Sequence, residues 1–287
     1  MFSPSDSETE TWMLKARDDA AFAFGVLPVD ENVVWGWRGR TVGCEVDAGE
    51  QHAWLRVISA PAGKGRGKLW DGTVLAARQI PASVRRPRLI GFHDWSSASH
   101  DYRAELTEFV VSPVCSPDPW LRRELDLPRE WWTSLRTSLS AISQVRTDRE
   151  TLRQEYLTRA LPQYLEAPNL PTVPARWTTA HGDCHWANLT ADGPIILDWE
   201  GWGRAPACYD AAMLAVYSIT APQTTKRLRE ELSGLLDTPE GRFAELTVLA
   251  ELIQTTTRGD NLDMLAALRE RAQDLLRIGY SDLPATR

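Results

Sequence analysis

The sequence predicts an α+β protein in two parts, a small β-rich lobe followed by a larger, mainly helical one. Three observations carry this. Before residue 112 the apolar residues come in short alternating or continuous runs rich in Val, Ile and Trp, the pattern of strands. Pro113, Pro117 and Pro119 then mark a joint. Beyond the joint, apolar residues recur at spacings of three and four, the period of helices that bury one face. The division expected is 1–108 for the first lobe and 109–287 for the second.

In chain order, residues 32–37, 41–46 and 52–58 read as three strands, separated by Gly39 and by residues 47–50. Gly63, Gly65 and Gly67 make residues 61–68 a loop by composition. Residues 71–78 read as a short helix that stops before Pro81, and 89–94 and 104–111 as two further strands. In the second part, Trp132, Leu135, Leu139 and Ile142 form one apolar stripe on a helix over 129–146. Helices follow at 152–165, 211–219, 224–236, 241–256 and 261–278, interrupted by one non-helical island at 177–204. No repeat of fixed period appears, which argues against solenoids and propellers.

Composition narrows the class. The 287 residues are 43% hydrophobic and 25% charged, ordinary globular values. A chain of this size buries roughly three quarters of its unfolded surface, enough to need no disulfide or metal for stability. The formal charge of −7 argues against a general nucleic-acid binder, which needs a basic face. Basic clusters at 64–68 and 85–88 read as solvated loop charge. Cys44, Cys115, Cys184 and Cys208 show no CxxC spacing, so reduced thiols are expected. The acidic, polar start MFSPSDSETE is unlike a secretory or transit peptide, and the uncharged stretch 211–225 is too polar for a membrane span. The expectation is a soluble cytoplasmic protein with no membrane or nucleic-acid partner. Thirteen tryptophans are many, but they are scattered, which favours core packing over a stacking surface.

The chemistry concentrates in the island. His181-Gly182-Asp183-Cys184-His185-Trp186-Ala187-Asn188 is followed ten residues later by Asp198-Trp199-Glu200. The turn signal Ala191-Asp192-Gly193 predicts a tight hairpin of 188–190 with 194–197, bringing Asp183, Asn188 and Asp198 together. Three readings are open. His181, Asp183 and His185 could alternate on a strand face and bind zinc. The acids and Asn could satisfy a polar loop. Or the pattern serves phosphoryl transfer. There, one carboxylate takes the proton of a substrate hydroxyl, while an Asn five residues on and a second carboxylate hold magnesium against nucleotide phosphates.

HGDxHxxN, an apolar strand and DWE resemble the aminoglycoside phosphotransferase and choline kinase family, small-molecule relatives of protein kinases. Trp35-Gly36-Trp37-Arg38-Gly39-Arg40, Leu55-Arg56-Val57, the stretch 106–110 and Tyr209-Asp210-Ala211-Ala212 are similar to further segments of that family. The resemblance implies a protein-kinase-like two-lobed fold whose first lobe binds nucleotide, with ATP and Mg2+ as cofactors. It implies a small hydroxylated acceptor such as an aminoglycoside, amino alcohol or sugar. Asp183 is then the catalytic base, Asn188 and Asp198 the magnesium ligands, and His181 a residue that orients the loop. Asp210 accepts backbone N–H bonds from the loop, and Arg56 faces the nucleotide phosphates. The carbonyl of Glu108 and the N–H of Val110 hold adenine.

The sequence departs from the family at the third-strand cation, usually Lys and here Arg56, whose fork differs from a compact ammonium. The helix glutamate that would pair with it is missing; Asp71 is the acidic candidate, with a helix N-cap as its simpler role. These departures suit an alternative, a kinase-fold nucleotide- or ligand-binding regulatory protein with weak or no turnover. Gly63-Lys64-Gly65-Arg66-Gly67-Lys68 is one residue short of a Walker A spacing, with Leu69 where Ser or Thr should stand. For a cationic acceptor, Glu251, Asp260 and Asp263 are the acidic candidates near one helix-to-helix turn, otherwise surface charge and helix capping.

Overall fold

The computed structural model describes residues 3–278, which group into two compact units. The first takes in the chain up to residue 79 together with 86–113; the second holds 80–85 and the chain from 114 on.

Ahead of residue 32, where sequence patterning shows no element, the first unit begins with helix α1, Ser7–Phe24. Its buried positions are Met13, Ala16, Arg17, Ala20 and Ala21, too small and mixed to make an apolar stripe in sequence. The ends carry the signal instead. The Asp6 carboxylate accepts from the Thr9 N–H, Glu8 and Glu10 sit in the first turn, and Gly25 at φ 65° closes the helix. There follow β1 (Leu27–Pro28), β2 (Val34–Trp35), β3 (Thr41–Asp47), β4 (His52–Pro61), α2 (Lys68–Gln79), β5 (Leu89–Ser96) and β6 (His100–Glu108).

The strands form one antiparallel sheet in the order β1-β3-β4-β6-β5, with β2 alongside β3. The strand expected at 32–37 shortens to two residues because a 3-10 turn takes over at Trp37–Gly39, with Arg38 at φ 53° and Gly39 at φ 70°. The last strand starts earlier and stops at Glu108. Because side chains alternate, Val42, Cys44, Val46, Leu55, Val57, Ala104 and Leu106 face α1 and form its core with Met13, Ala16 and Ala20. Each such large aliphatic contributes roughly 1.5–3 kcal/mol. Arg56 and Glu105 alternate to the opposite face, paired across β4 and β6.

In the second unit come α3 (Arg129–Ser143), α4 (Gln154–Tyr164), β7 (Trp177–Ala180), β8 (Gly203–Pro206), α5 (Tyr209–Tyr217), α6 (Pro222–Glu231), α7 (Ser233–Leu236), α8 (Pro239–Thr256) and α9 (Leu265–Arg277). The helix expected over 224–236 breaks in two at Leu232. That expected from 261 begins as a 3-10 turn, and α9 starts at Leu265. α8 is buried along most of its length. Its one deeply buried acid, Glu245, is 1% exposed and held by Arg229 at 2.6 Å and Arg271 at 2.7 Å, so the charge is compensated. The four cysteines are free, and no helix among the described residues is long and apolar enough to cross a membrane.

Candidate active site

Strand β7 pairs antiparallel with β8, and between them runs the polar island. Tryptophans supply its foundation. Trp131 and Trp132 from α3 and Trp186 from the island are fully buried and in ring contact, Trp131 stacked on Trp186 at 6.2 Å. Each indole N–H is satisfied, Trp131 donating to the Thr190 carbonyl at 2.9 Å and Trp186 to the Ser218 hydroxyl at 2.9 Å. These three tryptophans therefore pin a loop rather than face solvent.

The chain leaves β7 through His181, Gly182 and Asp183. Asp210, in the first turn of α5, accepts the N–H of His181 at 2.7 Å and that of Gly182 at 2.9 Å. Burial raises the Asp210 pKa, against the two N–H bonds and His181. Gly182 sits at φ 85°, and a Cβ there would come within 2.7 Å of Thr151 and 3.0 Å of the Gly201 carbonyl. Only glycine meets both demands. His181 is fully buried, which lowers its pKa. Its Nδ1 accepts from the Asp183 N–H at 3.3 Å, so the proton sits on Nε2 of a neutral ring standing edge-to-face on Trp199.

The Asp183 side chain is 48% exposed. Asn188 Nδ2 donates to its backbone carbonyl at 2.9 Å and to its carboxylate at 3.3 Å, and His185 Nε2 lies 3.5 Å from the same Oδ2. Burial pushes the Asp183 pKa up; the charge and hydrogen bond of His185, then His181 and Asn188, outweigh it and hold the carboxyl below its ordinary value. For His185 burial pulls down, but the Asp183 charge and hydrogen bond raise the net pKa. The two are a mutually stabilised pair.

The hairpin expected after Asn188 is present in minimal form. Leu189 bridges Ile196, the Thr190 N–H donates to the Ile195 carbonyl at 3.3 Å, and the Leu197 N–H donates to the Asn188 carbonyl at 2.9 Å. That last bond sets Leu197, and hence the neighbouring Asp198, beside Asn188. Asp198 is exposed with φ 56°, a left-handed conformation that aspartate tolerates better than most residues. The Trp199 indole closes the turn on the Ile196 carbonyl at 2.8 Å. Since Asn188 uses its Nδ2 on Asp183, its Oδ1 has no donor among the described residues. An amide oxygen and the Asp198 carboxylate make an all-oxygen set, which suits a hard cation such as Mg2+. The zinc reading fails: no group of three His, Cys, Asp or Glu side chains among the described residues could hold a metal, and His181 is turned into the core.

In the first unit, Arg56 Nη1 lies 3.7 Å from Glu105 Oε2, the cross-strand neighbour in register, with Glu105 2% exposed. Asp71 takes neither role expected of it. α2 starts at Lys68, so Asp71 is in the first turn rather than at the cap. Its carboxylate bonds Arg103 at 3.0 Å, and Arg103 in turn holds Asp94 at 2.7 Å and the Trp70 carbonyl at 2.8 Å. Asp71 thus ties α2 to the sheet through Arg103. Glu108 ends β6, its N–H donating to the Arg88 carbonyl at 2.9 Å. Val110 lies beyond the strand, and its N–H has no partner among the described residues.

The three acids of the helical unit go separate ways. Glu251 accepts a short hydrogen bond from the Tyr209 hydroxyl. Asp263 pairs with Arg122 at 3.1 Å on the surface. Asp260 is exposed after α8. Asn261 caps nothing with its side chain; it accepts from the Trp120 indole at 2.8 Å and donates to Thr255 at 2.9 Å. Tyr217, in ring contact with His185, has its pKa raised, first by burial and then by the charges of Asp183 and Glu251. Sequence reasoning missed Tyr217 and Glu105, whose roles depend on tertiary neighbours.

A sheet-built unit followed by a helical one that carries this loop is the α+β architecture of kinase-like phosphotransferases. The chain belongs to the phosphotransferase enzyme family APH, whose family model matches residues 76–246. No curated protein matches it in sequence. Among solved structures it is similar to aminoglycoside phosphotransferase APH(4)-Ia in a ternary complex with ADP and hygromycin B (TM-score 0.61, 15% identity, 93% of this chain and 99% of that one). It is also similar to a microcompartment-associated aminopropanol kinase (0.55, 17%, 91% and 98%). A third is spectinomycin phosphotransferase APH(9)-Ia with ADP and spectinomycin (0.56, 11%, 93% and 94%). At these identities the likeness establishes the fold.

Proposed function

We propose that the protein transfers the γ-phosphoryl group of ATP to a hydroxyl of a small molecule, with Asp183 as the base. The observation that carries this is the state of Asp183: half-exposed, ionised well below neutrality, and fixed by Asn188 and His185 on a backbone anchored to Asp210. A carboxylate so placed accepts the acceptor's hydroxyl proton as the oxygen attacks phosphorus. Asn188 and Asp198 would hold Mg2+, which neutralises phosphate charge when bound. Arg56 would face the nucleotide phosphates, and the Glu108 carbonyl and Val110 N–H would take adenine. His181, neutral and buried, orients the loop. Catalysis is then mostly positioning and electrostatic stabilisation.

The acceptor is a hydroxylated small molecule, and the relatives' ligands, hygromycin B and spectinomycin, fit that class. Should the acceptor carry an amine, Glu251, Asp260 and Asp263 are the acids that would meet it. The pairing of Arg56 with a strand carboxylate, at 3.7 Å, favours a second reading, a nucleotide-binding regulator without turnover. Magnesium-dependent ATP consumption across a panel of hydroxylated compounds separates the two. With an acceptor in hand, Asp183→Asn lowers kcat by about 10²–10⁴-fold and leaves ADP binding intact. Turnover within a few-fold of wild type would remove Asp183 from the reaction.

A further inference from the structure

Trp131, Trp132, Trp186 and Trp202 are among the largest fully buried side chains of this chain, whereas Trp54 is half-buried. On the sheet, Trp12, Trp35 and Trp95 pack against the core cluster on the α1 face, and Trp54 stands outside it. Its β4 neighbours Ala53 and Leu55 are fully buried in that cluster, so alternation turns Trp54 to the opposite face, with Arg56. There the indole lies over Gly43 of β3. A Cβ on Gly43 would meet three of its ring atoms at 2.7, 2.9 and 3.0 Å, so any side chain at 43 would push the ring away. Gly43 pairs in register with Arg56 and does not have a left-handed backbone, so the glycine is needed for room rather than for conformation.

Trp54 also has a place in a row. It is opposite Thr107 on β6, one residue before Glu108, where that strand ends. The ring of Phe109 lies 6.4 Å from the indole, with the two planes 29° apart. Two residues further along β4, roughly 6.6 Å by the rise of a strand, stands Arg56. The backbone of 108–110, the indole and the guanidinium therefore follow one another along one face of the first unit. A nucleotide whose base edge meets 108–110 and whose phosphates meet Arg56 must lay its base across the space between them, where the indole is.

We infer that Trp54 is the platform on which the nucleotide base stacks, an inference that rests on the nucleotide site proposed above. An indole presents a π-face that any base can use, and stacking is worth most for a large ring. Gly43 lets the ring lie close to the strand, and Phe109 adds a second aromatic ring beside the indole. Covering a strand glycine would by itself account for the contact with Gly43. It does not call for a half-exposed aromatic pair between the residues assigned to the base edge and the residue assigned to the phosphates.

The test uses the whole protein and ADP, followed by titration calorimetry and by tryptophan emission. A base stacked on an indole quenches it, so ADP is expected to dim the wild type. Trp54→Phe keeps an aromatic face; it is expected to bind ADP within about threefold of wild type and to lose the ADP-dependent quench. Trp54→Leu keeps apolar bulk over Gly43 without a π-face; it is expected to bind ADP about 5–150-fold more weakly. Three results would overturn the role of Trp54 and leave the phosphotransferase proposal standing. These are an unchanged quench in Trp54→Phe, a wild type that binds ADP without quenching, or wild-type affinity in Trp54→Leu. A wild type that binds no ADP in the millimolar range removes the nucleotide site itself, and the platform with it. Should Trp54→Leu not fold, the quench in Trp54→Phe decides.

Discussion

The joint between β7 and its loop can be broken at one atom. Asp210→Asn keeps the shape of the side chain but replaces one acceptor oxygen with a donor. Of the two N–H groups that Asp210 now accepts, from His181 at 2.7 Å and Gly182 at 2.9 Å, one keeps its partner and the other faces an NH₂ group. At a residue 6% exposed no water takes the vacated place, so the cost is that of one buried unsatisfied donor, about 1–3 kcal/mol. Asp210→Ala strands both donors, about 2–6 kcal/mol. If the penalty falls on the loop that fixes Asp183, kcat drops by about 5–150-fold in the Asn variant. Affinity for ADP, which the proposed function assigns to residues of the first unit, moves little. Thermal unfolding by fluorimetry and steady-state ATP turnover, measured on the same preparations, read the two consequences. Wild-type kcat together with a lowered Tm would show that Asp210 supports the fold without positioning Asp183. Wild-type values of both would refute the reasoning.

Three further expectations follow from the same geometry. Asp198→Ala weakens magnesium-dependent nucleotide binding more than Asn188→Ala does, because it removes an anionic oxygen; nucleotide affinity indifferent to magnesium in all three proteins speaks against these ligands. Arg56→Ala raises KM for ATP several-fold and the acceptor's KM less, whereas Glu105→Gln, which leaves the cation in place, changes ATP kinetics less than Arg56→Ala; unaltered ATP kinetics in Arg56→Ala removes Arg56 from the phosphates. The Asp183–His185 pair fixes a pH window. The folded Asp183 pKa is lowered, so its stabilisation is present above the ordinary carboxylate value and lost as pH falls through the folded one. The folded His185 pKa is raised, so its contribution is full below the ordinary imidazole value and lost as pH rises through the folded one. The Tm difference between wild type and His185→Gln is therefore largest near pH 4–6.5 and shrinks on both sides, and a pH-independent difference would dismiss the pair.

What could be read in the sequence was what chemistry writes locally. HGDxHxxN and DWE lie within twenty residues of each other, and the structure sets Asp183, Asn188 and Leu197 in one hydrogen-bonded loop. The alternation of β3 and β4 was equally plain, since one face of each is packed on α1. α1 itself escaped notice because alanines fill its buried face, although Asp6 and Gly25 mark its two ends. Glu105 could not be found beside Arg56 without the register of β4 against β6, which no local pattern encodes. Asp71 was misplaced for a related reason: the charge that claims it, Arg103, is 32 residues away in sequence. Partners made by pairing across strands or between a helix and a sheet stay hidden until the fold brings them together.

The tryptophan support of the island has a consequence for its mobility. Loops that carry polar side chains normally exchange their amide hydrogens early, through small local openings. Here the N–H groups of residues 181 and 182 end on a buried carboxylate, and the loop's own Trp186 packs against two tryptophans of α3. To free those amides the helical unit must give up part of its core. Deuterium uptake at 181–182 will therefore be as slow as in α8, and the candidate site will be among the last parts of this unit to open.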